Sequence, residues 1–232
     1  MSVDTILISR GPGETRVALL SEGRLVELLV SRPGQEGVAG NIYLGRVEAA
    51  LKGLDAAFVD VGLERPGFLA LPEARPAGIQ AEPADAIGDY LSEGDAVLVQ
   101  VLRDPVEDKG AKLTTHITLP GINLVFRPDH PGVNVSRRIE DEAERDRLTA
   151  LVEGLAPEGG GFIVRTAAAG ARNGDEDGIL EQESQGLVAR WAAIRHRRAN
   201  VKAPSVLYTE PGPGLRALRD FGGGVGKIVA DG

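Results

Sequence analysis

Cysteine is absent from the 232 residues, tryptophan and methionine occur once each, and aromatic residues make up only 4% of the chain. Without cysteine there are no disulfides, no thiolate zinc sites and no thiol nucleophiles, a pattern that fits a reducing cytoplasm. Nowhere do about 18 apolar residues run together, so no membrane-spanning helix is written. The opening MSVDTILISRGPGETR lacks the basic stretch and apolar run of a signal peptide. The expectation is a soluble, cytoplasmic protein. Three histidines, at 116, 130 and 196, show no metal-ligand spacing, and neither a P-loop nor a Gly-x-Ser-x-Gly elbow occurs.

What is present bounds the fold. A chain with 42% apolar residues has enough material for one large domain or two small ones. Its 31 Gly and 14 Pro argue for short, turn-rich elements and against a long helical bundle. Lys and Arg number 26 against 34 Asp and Glu, a net charge of −8 that argues against a generic polyanion binder. Arg outnumbers Lys, which suits bidentate phosphate recognition wherever arginines cluster.

Three textures follow one another. Residues 4–30 alternate around two Gly-containing turns and predict a three-stranded meander, with Leu25 to Val30 apolar enough for a central strand. After the connector 32–37, strands are expected at Asn41–Ala49, Ala56–Val61, Gly67–Leu71, Ala96–Arg103 and Ala111–Leu119, a barrel-like density, with Pro72 to Glu93 a weakly structured excursion. Beyond Pro120 the pattern is α/β: a strand at INLVFRP, a helix from Ser136, its cap, to Glu153, a strand at GGFIVRT followed by a Gly/Asn/Asp loop, and a second helix at Ile179–Ala199. Ile139, Leu148 and Leu151 form the first helix's apolar stripe; Leu187, Trp191 and Ile194 form the second's. The fold class is therefore α/β plus β, with a five-stranded OB-type barrel inserted into a split α/β domain whose two outer parts share one sheet.

Several residues carry chemistry in this arrangement. Phe58 and Phe68 fall on adjacent barrel strands with Tyr43 on the strand before, and exposed rings on such a barrel stack unpaired bases, although strand aromatics are more commonly core. Lys109, in the hairpin between the last two barrel strands, can meet a phosphate; a solvated turn lysine is the plainer reading. Arg165 and Thr166 end a strand beside small residues, where an arginine fork and a hydroxyl can hold a terminal phosphate, or where an edge salt bridge forms. Arg190, Arg195, Arg197, Arg198 and Lys202 make the second helix's polar face basic, which most often means a solvated face. Asp55, Asp60 and Glu64 are the nearest acidic cluster for a metal-dependent hydrolase, but turn and strand acids on such a barrel are normally surface charge.

Taken together, these runs resemble the N-terminal half of the bacterial ribonuclease E/G family. The matching segments are Asn41-Ile42-Tyr43 with Gly45, Ala56 to Asp60 through Gly62-Leu63-Glu64-Arg65 to Gly67-Phe68-Leu69, and Lys109-Gly110-Ala111 with Leu113-Thr114-Thr115. Ser136-Arg137-Arg138-Ile139, Ile163-Val164-Arg165-Thr166 and Leu218-Arg219-Asp220-Phe221 complete them in the family's order. The resemblance implies a split RNase H-like domain (residues 1–36 and 120–205) interrupted by an OB-fold RNA-binding domain of the ribosomal-protein S-one type (37–119). Residues 206–232 would begin a further subdomain. It also implies that Phe58, Phe68 and Lys109 grip single-stranded RNA, and that Arg165 and Thr166 hold an RNA 5′-monophosphate bordered by Gly121, Val125 and Arg137.

In that family a catalytic domain with a Mg²⁺-binding Asp pair follows, serving RNA decay and rRNA processing. The chain is expected to stop short of it, and so to bind RNA without cutting and to need no cofactor of its own. The alternative is a stand-alone, non-catalytic RNA-binding regulator.

Overall fold

The computed structural model describes residues 3–76, 86–169 and 178–231. Two turns fold the N-terminal residues into the meander β1 (Thr5–Arg10), β2 (Thr15–Ser21) and β3 (Arg24–Ser31). Glu22 and Gly23 both take positive φ, 51° and 75°, as a tight hairpin turn matching strand twist requires.

β4 (Ile42–Leu51), β5 (Ala56–Asp60) and β6 (Gly67–Ala70) lead through two short helices, α1 (Leu71–Ala74) and α2 (Ile87–Tyr90), to β7 (Ala96–Arg103) and β8 (Lys112–Thr114). The strands hydrogen-bond in the order β4-β5-β6-β8-β7 and back to β4, a closed five-stranded barrel whose only parallel pair is β6–β8. Closure leaves no free edge inside the ring. Its interior is filled by Val47, Val59, Leu69, Val99, Val101 and Leu113, all almost wholly buried, with Leu71, Ala74 and Ile87 added from α1 and α2. The segment expected to be weakly structured thus contributes core; residues 77–85, including Pro83, lie outside the described residues.

The last barrel strand is shorter than the sequence pattern suggests. The Thr114 hydroxyl accepts from His116 N–H and the Thr115 carbonyl from Ile117 N–H, so the chain turns out of the barrel after three paired residues. Leu119 and Pro120 become β9 of a second sheet, joined by β10 (Leu124–Arg127), β11 (Gly132–Val135) and, beyond α3 (Glu142–Glu153), β12 (Gly161–Val164), in the order β11-β12-β10-β9. α3 and α4 (Ile179–Ala199) pack on this sheet, burying Leu148, Val152, Leu180, Leu187 and Ile194 against Leu124, Phe126, Phe162 and Val164.

α3 starts later than expected. Asp141, not Ser136, is its cap, accepting from Ala143 N–H, and residues 136–139 form a turn held by the Arg145 guanidinium, which donates to the carbonyls of Ser136 and Ile139. Ile139 is buried from that turn and Val152 replaces the more exposed Leu151 on the helix's inner stripe. Acidic side chains near the true N-terminus, Asp141, Glu142 and Glu144, complement the helix dipole there.

β13 (Ser205–Tyr208) returns to pair with β4 at Ile42–Leu44, and α5 (Pro213–Phe221) leads to β14 (Lys227–Asp231), which runs parallel beside β1. The mixed α/β architecture with an OB-type barrel stands. However, the outer parts do not share one sheet: the N-terminal meander forms the sheet β14-β1-β2-β3, with no strand from residues 120–205. The strand β3 is consequently an edge, not a centre, and Leu25, Val26, Leu28 and Val30 are exposed. An apolar run alone does not distinguish these positions: α5 packs chiefly over β2, where Ile6, Val17, Leu19 and Ala217 are buried, and β3 contributes Leu29 to that cluster.

Barrel and second sheet meet where the His116 and His130 rings pack edge to face, 5.3 Å between centroids. Burial lowers the His130 pKa from its ordinary 6.5, assisted by the positive charges of Arg127 and His116 and opposed by Asp129. The folded state then takes up a proton less readily than the unfolded chain. Stability is full above pH 6.5 and is lost as pH falls from 6.5 through the folded pKa. Urea midpoints compared at pH 7.0 and 5.5 should therefore fall less in His130→Gln than in the parent chain; an equal fall in both would contradict this.

Candidate nucleic-acid interface

Strand register builds the barrel's outer face. Because Ala57, Val59 and Leu69 point inward, Phe58 and Phe68 point outward; they sit directly opposite one another on β5 and β6. Their rings make an edge-to-face pair, centroids 5.9 Å apart and planes at 65°, and both remain partly accessible. The parallel pairing of β6 with β8 places Lys112 next to Phe68, and Arg103 on β7 follows Lys112. The exposed face thus reads Phe58, Phe68, Lys112, Arg103 across four adjacent strands. Two rings flanked by two cations can stack bases and meet the phosphates between them.

Tyr43 does not belong to this face. It is only 6% exposed, packed in the barrel core with its hydroxyl accepting from Asn41 Nδ2 at 3.1 Å. Alternation on β4 sends it inward, the commoner fate of a strand aromatic. Lys109 is exposed at the tip of the β7–β8 connection, where reciprocal backbone bonds join Val106 and Lys109 and Glu107 takes φ 51°. Arg65 steadies this tip by donating to the Asp108 carbonyl and carboxylate at 3.1 and 2.9 Å. Gly110 is required here: a Cβ would lie 1.8 Å from the Pro66 carbonyl oxygen, so the tip can press against the start of β6 only with glycine.

The second group of residues gathers at one end of the sheet β11-β12-β10-β9. Arg165 leaves β12 with its N–H bonded to the Asn123 carbonyl, and its Nη1 donates to Gly121 O at 2.6 Å and to Asp220 Oδ1 at 3.0 Å. The Thr166 hydroxyl lies 3.0 Å from that of Ser136, the neighbour of the exposed Arg137. Arg165, Gly121 and Asn123 are therefore in contact, and Thr166 joins Ser136. Val125 sits on β10 opposite Ile163.

Gly121 has a local cause too. Glu183 of α4 accepts from the N–H groups of Ile122 and Asn123, and a Cβ at residue 121 would fall 2.1 Å from its Oε1. Of the loop 167–178 that follows Thr166, residues 170–177 lie outside the described residues.

Electrostatics here are set by a row of alternating charge. Glu210 pairs with Arg219, Arg219 with Asp220 at 3.1 Å, and Asp220 with Arg165 at 3.0 Å. Burial raises the Asp220 pKa, but hydrogen bonds and charge from Arg219 and Arg165 outweigh it and hold the carboxyl below its ordinary 3.8. Burial likewise works against charge on Arg219, and its bonds to Asp220 and Glu210 more than restore it.

Other expected groups lie elsewhere. Arg190 stacks over the Tyr208 ring at 5.8 Å, while Arg195, Arg197 and Arg198 are exposed near the C-terminal end of α4, where its dipole favours cations. Asp60 Oδ1 accepts from Gly62 N–H, and Asp55 occupies a positive-φ turn. Among the described residues no three His, Asp or Glu side chains converge on a metal-sized site, which removes the support for a hydrolase built on Asp55, Asp60 and Glu64.

The sequence profile of the Ribonuclease E/G family matches residues 118–232. Ribonuclease G of Haemophilus influenzae is 41% identical over 242 aligned residues, covering 100% of this chain and 48% of that protein. Ribonuclease G of Escherichia coli is 40% identical over 223 residues, covering 93% of this chain and 45% of that one. The chain belongs to the ribonuclease E/G family. Ribonuclease E of a Nostoc species is 41% identical over 216 residues, 92% of this chain and 30% of its own length. This family member thus spans about half the length of the ribonuclease G relatives it matches.

Reading the family motifs alone leaves out Lys112 and Glu183, and gives no role to Asp220, which lies within the matching segment Leu218–Phe221. Lys112 was legible from alternation, since Phe68-Leu69 and Lys112-Leu113 share one out-in pattern on neighbouring strands. Glu183 and Asp220 were not, because their partners lie 60 and 55 residues away. If Lys112 meets a phosphate, Lys112→Ala should weaken single-stranded oligoribonucleotide binding uniformly across sequences and reduce the salt dependence of log K by about one counterion. An unchanged salt slope in titrations at several salt concentrations would contradict that role.

Proposed function

We propose that these residues form the RNA-binding and 5′-end-sensing portion of a ribonuclease E/G-type endoribonuclease. Single-stranded RNA stacks on Phe58 and Phe68, Lys109 contacts its backbone, and Arg165 with Thr166 receives a 5′-monophosphate beside Gly121, Val125 and Arg137. The observation that carries the reading is the outward, in-register pair Phe58–Phe68 on a closed OB-type barrel, with cations on the next two strands. Stacking contributes about 1–3 kcal/mol per base and tolerates sequence, as suits an enzyme acting on varied transcripts.

The 5′-end reading rests on chemistry. A terminal phosphate presents more charge and more acceptor oxygens than an internal one, and a guanidinium fork beside hydroxyls answers both. Arg165 keeps Nε–H and one Nη2–H without a partner among the described residues, while the hydroxyls of Thr166 and Ser136 lie together on the chain's next turn. The family's cleavage chemistry, Mg²⁺-dependent hydrolysis in RNA decay and rRNA processing, is proposed for the longer protein type that its relatives represent. Among the described residues no three His, Asp or Glu side chains group into a donor set for Mg²⁺. No helix among the described residues is long and apolar enough to cross a membrane.

The test is a Phe58→Ala, Phe68→Ala double substitution. Both rings are surface groups, so the barrel should keep its thermal midpoint within a few degrees, while affinity for an A/U-rich single-stranded oligoribonucleotide falls about tenfold or more. Unchanged affinity in a folded double variant would overturn the stacking assignment.

A further inference from the structure

The arginine assigned to the 5′-phosphate is not free in this structure. Its Nη1 donates to Gly121 O at 2.6 Å and Asp220 Oδ1 at 3.0 Å, with a longer 3.5 Å contact to the Arg219 main-chain carbonyl, and its Nη2 has a 3.5 Å contact with the Asp220 main-chain carbonyl. Asp220 thus grips the guanidinium from one side with both its side chain and its backbone. The remaining donors, Nε–H and the second Nη2–H, form the other parallel edge of the fork, the geometry that accepts two phosphate oxygens.

A carboxylate beside an anion site has two opposite physical meanings. It can compete with the anion for the arginine, or it can fix the arginine so that the anion meets an ordered edge. Two observations decide between them. First, Asp220 meets the end of the guanidinium, with Oδ1 on Nη1 at 3.0 Å and its main-chain carbonyl on Nη2 at 3.5 Å, and leaves Nε–H and the second Nη2–H without a partner among the described residues. Second, its charge is already answered by another guanidinium: Arg219 Nε donates to Oδ1 and Nη2 to Oδ2, each at 3.1 Å. Arg219 is itself anchored on Glu210, whose side chain is only 6% exposed. The row Glu210, Arg219, Asp220, Arg165 alternates in sign and ends on a cation, so a phosphate at its open end continues the alternation.

We propose that Asp220 is a positioning residue for 5′-end recognition, orienting Arg165 through the Nη1 contact so that its Nε–Nη2 edge receives a terminal phosphate. This rests on the reading of Arg165 as the phosphate ligand. Asp220 touches no RNA and acts only through Arg165. The helix that carries it, α5, is held on its sheet by Ala217, Leu218 and Phe221. Removing the carboxylate therefore leaves the helix's apolar anchorage in place.

The experiment compares fluorescence anisotropy of one A/U-rich oligoribonucleotide bearing either 5′-monophosphate or 5′-hydroxyl, using the whole 232-residue chain, its Asp220→Ala and Asp220→Asn variants, and Arg165→Ala. The readout is the ratio of the two affinities, which a general loss of structure does not move selectively. Asp220→Ala should reduce the preference for the phosphorylated end about tenfold, with 5′-hydroxyl affinity within twofold of the parent. Asp220→Asn, which retains an oxygen acceptor of the same shape, should keep part of the preference and guards against a folding defect in the alanine variant.

Loss of preference in Arg165→Ala but full preference in folded Asp220→Ala and Asp220→Asn would overturn the positioning role alone. A stronger preference in Asp220→Ala would also overturn it, showing Asp220 to be a competitor. A parent chain without preference would overturn the phosphate reading and this inference with it.

Discussion

The row of charges from Glu210 to Arg165 is the constraint around which the described parts of the molecule are arranged. Taking a charged group out of water costs several kcal/mol unless its partners are close and well aligned, so half-buried ions impose geometry on whatever carries them. Glu210 follows β13, which pairs with the barrel strand β4, and its N–H donates to Asn41 Oδ1 at the mouth of that strand. Arg219 and Asp220 ride on α5, which covers the β14-β1-β2-β3 sheet, and Arg165 ends β12 of the second sheet. One row of alternating charge therefore touches elements from all three sheets. Removing a single member leaves its neighbours partly desolvated and uncompensated, the arrangement in which electrostatics are most costly to disturb.

The proposed function rests two kinds of recognition on that frame. The barrel face offers flat apolar rings and flanking cations, which bind any unpaired base and are insensitive to sequence. In the proposed function, the directed donors at Arg165 distinguish one end of a chain from its middle. Binding one RNA at both points makes the second contact intramolecular, so modest affinities at each combine into a large overall preference when the spacing suits. The barrel's closure and the Arg145 bonds that pin the turn at residues 136–139 keep both surfaces ordered before any ligand arrives.

How much of this was readable from sequence varies with the range of the interactions. Barrel strands were legible because alternation and glycine turns are local: all five expected strands begin within a residue of their observed positions. β8 was overextended because its end depends on side-chain bonds of Thr114 and Thr115 that no periodicity records. Tyr43 was misplaced as a surface ring because the face of a strand residue follows from register with its neighbours, not from residue type. The composition of β3 suggests a central strand, whereas edge or centre is decided by pairing: β14 joins the sheet beside β1, and β3 pairs only with β2 among the described residues. The resemblance groups Arg165 with Gly121, and the two are in direct contact. The contacts of Glu183 and of Asp220, the latter inside a matching segment, were not legible because nothing in a local window ties an acidic residue to one loop rather than to solvent.

The central claim is that Arg165 and its neighbours hold the terminal phosphate of an RNA already gripped by the barrel. Phosphorus-31 NMR of a short single-stranded oligoribonucleotide carrying a 5′-monophosphate, titrated with the 232-residue chain, tests it directly because the terminal resonance is distinct from the internal phosphodiesters. The account predicts a saturable shift of the terminal signal in the parent chain that disappears in Arg165→Ala while the internal signals still respond. Internal signals that respond while the terminal signal stays fixed would contradict it.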